Sequence, residues 1–317
     1  MGGPTSVTLH LGYFPNLTHA TALVGVHEGI FAQALGSTVK LATSTFNAGP
    51  AEVTALLSGA LDAAYLGPNP AINAFTQSHG AAIVVVSGAT SGGASLVVKP
   101  AIAGAAGLKG KTLATPQLGN TQDVALRYWL KTQGFTTDLQ GGGPVAIKPG
   151  PDNSTIVQEF RTGAIDGAWV PEPYASQLVA AGGKVLVDEQ TLWPGGKFAT
   201  TVLAVRKAFA QDHPDVVRHL LDGQIKANDF VNANGEKAQA DVIAEIASIT
   251  GKPPSTSLVK AAWLSLTFTD DPLATTLQQA ADHAVAVGIG KAVDLSTLVD
   301  VSILHTALSA AGESLPA

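Results

Sequence analysis

Cysteine is absent from the 317 residues, so disulfides, thiolate metal sites and thiol nucleophiles are all excluded. Charge is scarce as well: charged residues make up 13% of the chain, and the formal net charge of −6 is spread without blocks of like sign. Nothing in that distribution attracts nucleic acid or an acidic membrane surface, and both are excluded as partners. No apolar run reaches membrane-spanning length. The start, MGGPTSVTLHLGYF, shows no charged and apolar leader, so an export signal is expected to be either absent or already removed. Catalytic signatures are missing too. There is no GxSxG elbow, P-loop or HExxH, and the eight histidines lack metal-site spacing. SGGAS and GLKGK do not form GxGxxG after a first strand, which removes the dinucleotide fingerprint, and no cofactor is expected.

What is present is a repeat. GALDAAYLGPNPA at Gly59 to Ala71 returns as GAIDGAWVPEPYA at Gly163 to Ala175, with five of thirteen positions identical. Upstream, YFPNLTHATALVGVHEGIF and LATPQLGNTQDVALRYWLKTQGF share a strand end, proline, polar turn and amphipathic helix; downstream, GAAIVVVS and GGKVLVDE both read as strands. The fold class is therefore α/β, with two similar lobes and a ligand cleft between them. Lobe 1 is expected at residues 1–90 plus 200–317 and lobe 2 at 91–199. Strand VTLHLGYF, a helix over Thr18 to His27, strands TVKLATSTF and LDAAYLG, helices over Pro50 to Ser58 and Pro70 to Gln77, and strand AIVVVSG form the first unit. ATSGGAS, which contributes Ser91, leads to LVVKP as one crossing strand, and TTVLAVRK crosses back, so that two crossings form a hinge. From Lys207 the pattern is helical and is expected to pack mostly on lobe 1.

Four strand-to-helix turns face each other across such a cleft: Tyr13 to His19 and Gly67 to Asn69 from one unit, Gln117 to Thr121 and Pro171 to Tyr174 from the other. Third turns lie at Asn47 to Gly49 and Pro151 to Ser154. Each offers free backbone N–H groups and short polar side chains at a helix start, where partial positive charge suits an anion. The individual candidates are Tyr13, Asn16, His19, Asn47, Gly49, Gly67, Pro68, Asn69, Ser91, Gln117, Gly119, Asn120, Thr121, Trp169 and Glu172. Any one of them can equally be an ordinary cap; their convergence is the functional signal. Tyr65 and Trp169 occupy equivalent positions, read as core for Tyr65 and cleft for Trp169. His19 is open between a structural bond and ligand contact, and Glu172 between a cap and ligand contact. Arg127 and Arg161 are expected to pair on the surface, and Asp62 and Asp166 to fix the loops after their GA dipeptides. Donors without a nucleophile describe a binder and not an enzyme.

At GYFPNLTHA, FNAGPAEVTALLSGALDAAYLGPNPAINAF, ATPQLGNTQDVALRYWL and DGAWVPEPYASQLV, the chain resembles substrate-binding proteins of ABC importers in the nitrate, sulfonate and taurine group, closest to the aliphatic-sulfonate branch. The resemblance covers about Val7 to Lys207. It implies the type II periplasmic-binding fold, no enzymatic activity, a monomer, an extracytoplasmic location often secured by a lipid anchor, and a membrane permease as partner. It also implies that the turns at Tyr13 to His19, GPN and QLGNT line the pocket, and that Glu172 stands where relatives place an acid able to meet a ligand's amine. The absence of a basic residue in those turns disfavours nitrate. An aliphatic sulfonate is the expected ligand. The alternatives are a thiamine-precursor pyrimidine stacked on Trp169 and Tyr13, nitrate or another oxyanion, an enzyme on the same fold, and a ligand-sensing regulator.

Overall fold

A computed structural model describes residues 7–150 and 152–315. Strand β1 (Val7–Tyr13) passes through a 3-10 turn, Leu17–His19, into α1 (Ala20–His27) and α2 (Ile30–Leu35). β2 (Val39–Thr45), α3 (Gly49–Ser58), β3 (Ala63–Leu66), α4 (Pro68–Gln77) and β4 (Ile83–Gly92) follow. The second unit contains β5 (Ala94–Val98), β6 (Thr112–Thr115), α5 (Thr121–Thr132), β7 (Ala146–Pro149), α6 (Asn153–Thr162), β8 (Gly167–Pro171), α7 (Tyr174–Ala180) and β9 (Lys184–Asp188). The remainder is β10 (Ala199–Arg206), α8 (Lys207–Asp212), α9 (Pro214–Ala233), α10 (Gly235–Thr250), α11 (Thr256–Trp263), β11 (Leu266–Phe268), α12 (Ala274–Ala286) and α13 (Ser302–Ala311).

The strands form two sheets, ordered β11-β4-β10-β3-β1-β2 and β7-β6-β8-β5-β9. We call the first sheet with its helices lobe 1 and the second lobe 2. In each, the unit's first strand pairs in parallel with two others: β1 with β2 and β3, β6 with β7 and β8. The central strands β3 and β8 are apolar and buried because helices cover both faces, whereas the edge strand β2 is partly exposed, and separate apolar clusters lie on the two sides of each sheet. The repeat is visible in detail: α3 and α6 end at Gly59 and Gly163, both at φ 78°, a left-handed cap that glycine adopts without a Cβ clash.

Two features differ from the sequence reading. First, β4 does not stop at Gly88 but runs unbroken to Gly92 along β10. Its small residues serve close packing instead of a turn, since a Cβ on Gly88 would stand 2.1 Å from the Asp271 carbonyl oxygen. Second, LVVKP is not a crossing strand: Leu96–Val98 lie inside the lobe 2 sheet between β8 and β9. TTVLAVRK is not a crossing strand either, since β10 lies inside the lobe 1 sheet between β4 and β3; the chain crosses at Gly92 and Gly93, at φ 80° and 73°, and returns through residues 189–198. The tail packs mostly on lobe 1, with α9 on α1 and α2 and α10 on α1, and it also reaches lobe 2. α11 packs on α7, while α12 lies on α5, where His283 stacks on Tyr128 at 3.6 Å between ring centroids. No helix among the described residues is long and apolar enough to cross a membrane.

Candidate functional site

The turns that end the strands meet at the seam between the lobes and surround a narrow cavity of about 20 Å³. Lobe 1 contributes Phe14, Asn16, Thr18, His19, Asn47, Gly67 and Thr200; lobe 2 contributes Asn120, Thr121, Gln122, Asn153 and Pro171. None of these twelve side chains is an acid, a lysine or an arginine. The starts of α3, α4, α5 and α6 are represented in the wall, together with the 3-10 turn that opens into α1. The first N–H groups of a helix have no partner inside it, so each start presents donors and the positive end of the helix dipole.

The local sequence explains why donors, not charges, face the cavity. In lobe 2, Asn120 caps α5 by accepting from the Thr121 N–H at 2.8 Å. Asp123, in the same first turn, is fully buried and turned away: its carboxylate accepts from Thr115 Oγ1 at 2.7 Å, the Gly119 N–H at 3.0 Å and Arg127 Nε at 3.0 Å. Arg127, expected on the surface, is therefore a buried partner of Asp123, because a carboxylate kept at 0% exposure needs a counter-charge. Asp152 caps α6 by accepting from the Thr155 N–H, and lies outside the wall. Pro151 lies outside the described residues.

In lobe 1, Thr18 Oγ1 donates to Asn16 Oδ1 at 2.8 Å, leaving the amide N–H₂ of Asn16 as a donor. His19 accepts from the Phe14 N–H through Nδ1 at 3.2 Å and stacks on the Phe14 ring. Burial pushes its pKa down to about 3, so the ring is neutral and its single proton is on Nε2. Two polar atoms of the wall, Thr121 Oγ1 and Asn153 Oδ1, are buried without a hydrogen-bond partner. Such atoms cost roughly 1–3 kcal/mol each, and each calls for a partner such as a water, an ion or a ligand.

Of the residues anticipated, Asn16, His19, Asn47, Gly67, Asn120 and Thr121 stand together around the cavity. Gly49 packs on Pro70 beside Asn120, where a Cβ would stand 2.3 Å from Pro70 Cγ. Pro68 and Asn69 face a neighbouring cavity, with Asn69 Nδ2 donating to the Ala280 carbonyl. Ser91 ties the two crossings, accepting from the Phe198 N–H at 3.2 Å, and Gln117 and Gly119 shape the turn before α5.

Three candidates are placed elsewhere. Tyr13 is 1% exposed and belongs to the lobe 1 core, because alternation along β1 sends it inward with Leu9 and Leu11 and leaves Phe14 for the cavity. Trp169 is 0% exposed in the lobe 2 core, its Nε1 donating to Glu189 Oε2 at 2.7 Å; Tyr65 is core as read. Glu172 caps its own helix, accepting from the Ser176 N–H at 3.0 Å and Oγ at 2.9 Å, and borders a different groove with Ser95 and Leu258. Burial raises its pKa while the Ser176 bonds oppose the rise.

Gln122 and Thr200 were outside every anticipated turn. Gln122 follows Thr121 in the first turn of α5, a position the QLGNT turn could have signalled. Thr200 sits where the second crossing enters β10, and nothing local in ATTVLAVR marks it.

A profile of the NMT1-like family matches residues 2–248. The taurine-binding periplasmic protein of Escherichia coli (strain K12) is 29% identical over 243 residues, 73% of this chain and 70% of that protein. Among solved structures, the periplasmic nitrate-binding protein NrtA from Synechocystis PCC 6803 superposes with a TM-score of 0.81 at 15% identity, covering 98% of this chain and 90% of the other. The alkanesulfonate-binding protein SsuA from Xanthomonas axonopodis pv. citri, bound to MOPS, gives 0.74 at 19% identity, covering 95% and 99%. These likenesses establish the periplasmic-binding-protein fold, and the relatives are binding proteins, not enzymes.

Proposed function

The chain belongs to the NMT1-like family, and from that premise we propose that it is the extracytoplasmic solute-binding protein of an ABC importer, capturing a small aliphatic sulfonate for a membrane permease. The observation that carries this reading is a cavity built from helix starts, with neutral donors from both lobes, among them the buried and unpartnered Thr121 hydroxyl. A sulfonate is a delocalised monoanion, ionised at every physiological pH, and is well matched by several N–H dipoles without a formal counter-charge. The taurine-binding and alkanesulfonate-binding relatives support the same class.

The lining refines the choice. An ammonium group, as in taurine, would find no carboxylate among these twelve residues, which favours sulfonates without an amine. A pyrimidine would lack the stacking faces expected of Tyr13 and Trp169, which lie in the lobe cores. Isothermal titration with methanesulfonate, ethanesulfonate, taurine, nitrate, sulfate and an aminopyrimidine tests this. Saturable 1:1 binding of the alkanesulfonates, with taurine weaker, is expected. Binding of nitrate or the pyrimidine with no response to any sulfonate would refute the reading.

A further inference from the structure

At the opposite end of α1 from the cavity, a second constellation forms where that helix meets α10. His27 is the last residue of α1 and Glu28 caps it. Lys237, Asp241 and Glu245 recur at intervals of four along α10, so they share one face of that helix. One donor atom from each of His27, Glu28 and Asp241 falls within 4.8 Å of the other two. A carboxylate holds the His27 ring, whose Nδ1 stands 3.2 Å from Glu245 Oε2. That places the proton of the neutral ring on Nδ1 and leaves the lone pair on Nε2, with Asp241 Oδ1 at 3.9 Å. The gap is too wide for a hydrogen bond and is close to the separation of two ligands that each stand about 2.0–2.2 Å from one ion. A separate observation concerns Asp241 itself. Its side chain is 6% exposed, yet Oδ2 is buried with no hydrogen-bond partner among the described residues. Oδ1 accepts from Lys237 Nζ, which also donates to Glu28 Oε1, both at 2.5 Å. Three carboxylates thus face one ammonium, carried on a side chain that is 55% exposed and able to swing into water.

The geometry points to a site for a divalent transition-metal cation of the zinc class, with His27 Nε2 and carboxylate oxygens of Glu28 and Asp241 as ligands, water completing the shell, and Lys237 as the group the ion displaces. One imidazole with two carboxylates is a donor set for Zn²⁺ or Co²⁺, whereas Ca²⁺ takes six or more oxygens. The C-terminal end of α1, the negative end of its dipole, adds to the attraction for a cation. Glu245 is a positioning residue: it sets the tautomer and tilt of the His27 ring without touching the ion. Histidine spacing along the chain conceals such a site, because its ligands come from helices far apart in sequence. The eight residues of α1, about 12 Å of helix, separate it from the cavity, so it stands whichever solute the cavity takes.

The test is titration of Zn²⁺ and Co²⁺ into the intact, tag-free chain, followed by calorimetry and, for Co²⁺, by its visible absorption. One site per chain is expected. His27→Ala and Glu28→Gln, both at exposed positions outside the core, should each weaken binding about tenfold or more, and Glu245→Gln about tenfold, with metal-free melting temperatures near that of the wild type. At saturating Co²⁺ the absorption band should shift in His27→Ala, where the nitrogen ligand is gone. Lys237→Gln should tighten binding roughly fivefold by removing the competing ammonium. Absence of saturable binding, binding undiminished in any of the first three variants, or an affinity in Lys237→Gln no tighter than the wild type's overturns the site.

Discussion

Asp62 and Asp166 hold their strands by the same pair of bonds. Asp62 Oδ2 accepts from the His10 N–H at 2.9 Å while its own N–H donates to the His10 carbonyl; Asp166 repeats both bonds with Thr112. The duplicated GA-D step is thus a clamp on the first strand of each unit. Their surroundings differ: the Asp62 side chain is 7% exposed and also meets Arg206 and His10 Nδ1, whereas that of Asp166 is 34% exposed. Asp62→Ala should lower the unfolding free energy by about 3 kcal/mol and Asp166→Ala by about 1 kcal/mol, read from urea denaturation. Equal losses would contradict this ranking.

Thr121→Val replaces a buried hydroxyl that has no hydrogen-bond partner with a methyl of the same shape. Its melting temperature without ligand should be unchanged or higher, while sulfonate affinity falls about tenfold or more, because only the complex uses the hydroxyl. A variant that loses stability and keeps affinity would show the group to be structural.

Gly67→Ala meets no backbone obstacle, as φ is −68°, yet its Cβ would lie 2.5 Å from Thr121 Oγ1 on the opposite lobe. The methyl group should act as a wedge against closure, weakening ligand binding by at least tenfold with little effect on the unliganded protein's melting temperature. Titration calorimetry together with small-angle scattering checks it, and wild-type affinity in the variant would count against closure at this contact.

His19 links stability to pH. Its folded pKa, pushed down to about 3 by burial, lies below the unfolded value of about 6.5, so between these pH values the unfolded chain binds one proton more. The stability present above pH 6.5 is therefore lost as pH falls, with a limiting slope from this group of about 1.4 kcal/mol per pH unit. His19→Asn, whose Oδ1 can still accept from the Phe14 N–H, should show a shallower decline between pH 7 and pH 5 in chemical denaturation. Parallel profiles would mean that His19 is not the titrating group.

The architecture was legible because it is written twice. Strand, turn and helix recur at a fixed interval, and helix starts betray themselves through Pro, Asn and Gly, so the six converging residues could be named from their turns alone. Side-chain direction was not legible in the same way. Whether Tyr13 or Phe14 meets the cavity depends on where the alternation of β1 ends, and Trp169 is drawn inward by the Glu189 carboxylate, twenty residues away in sequence. Glu172 was ambiguous because the cap bond to Ser176 and a ligand contact call for the same residue type. The unbroken β4 and the reach of α12 across to α5 are tertiary facts: small residues read as a turn until a partner strand makes them a packing surface.

The neutral lining has an electrical consequence. On the proposed sulfonate reading, a monoanion among these donors would bring a charge that no side chain of the wall cancels, so the formal net charge of −6 would grow by the ligand's own unit upon capture. Loaded and empty protein are then different ions, separable on an anion exchanger. With no fixed cation in the wall, little of the affinity comes from screened ion pairing, so added salt should change it little. On the proposed sulfonate reading, selectivity becomes a matter of dehydration, and sulfate, which holds its water tightly, should bind more weakly than an alkanesulfonate.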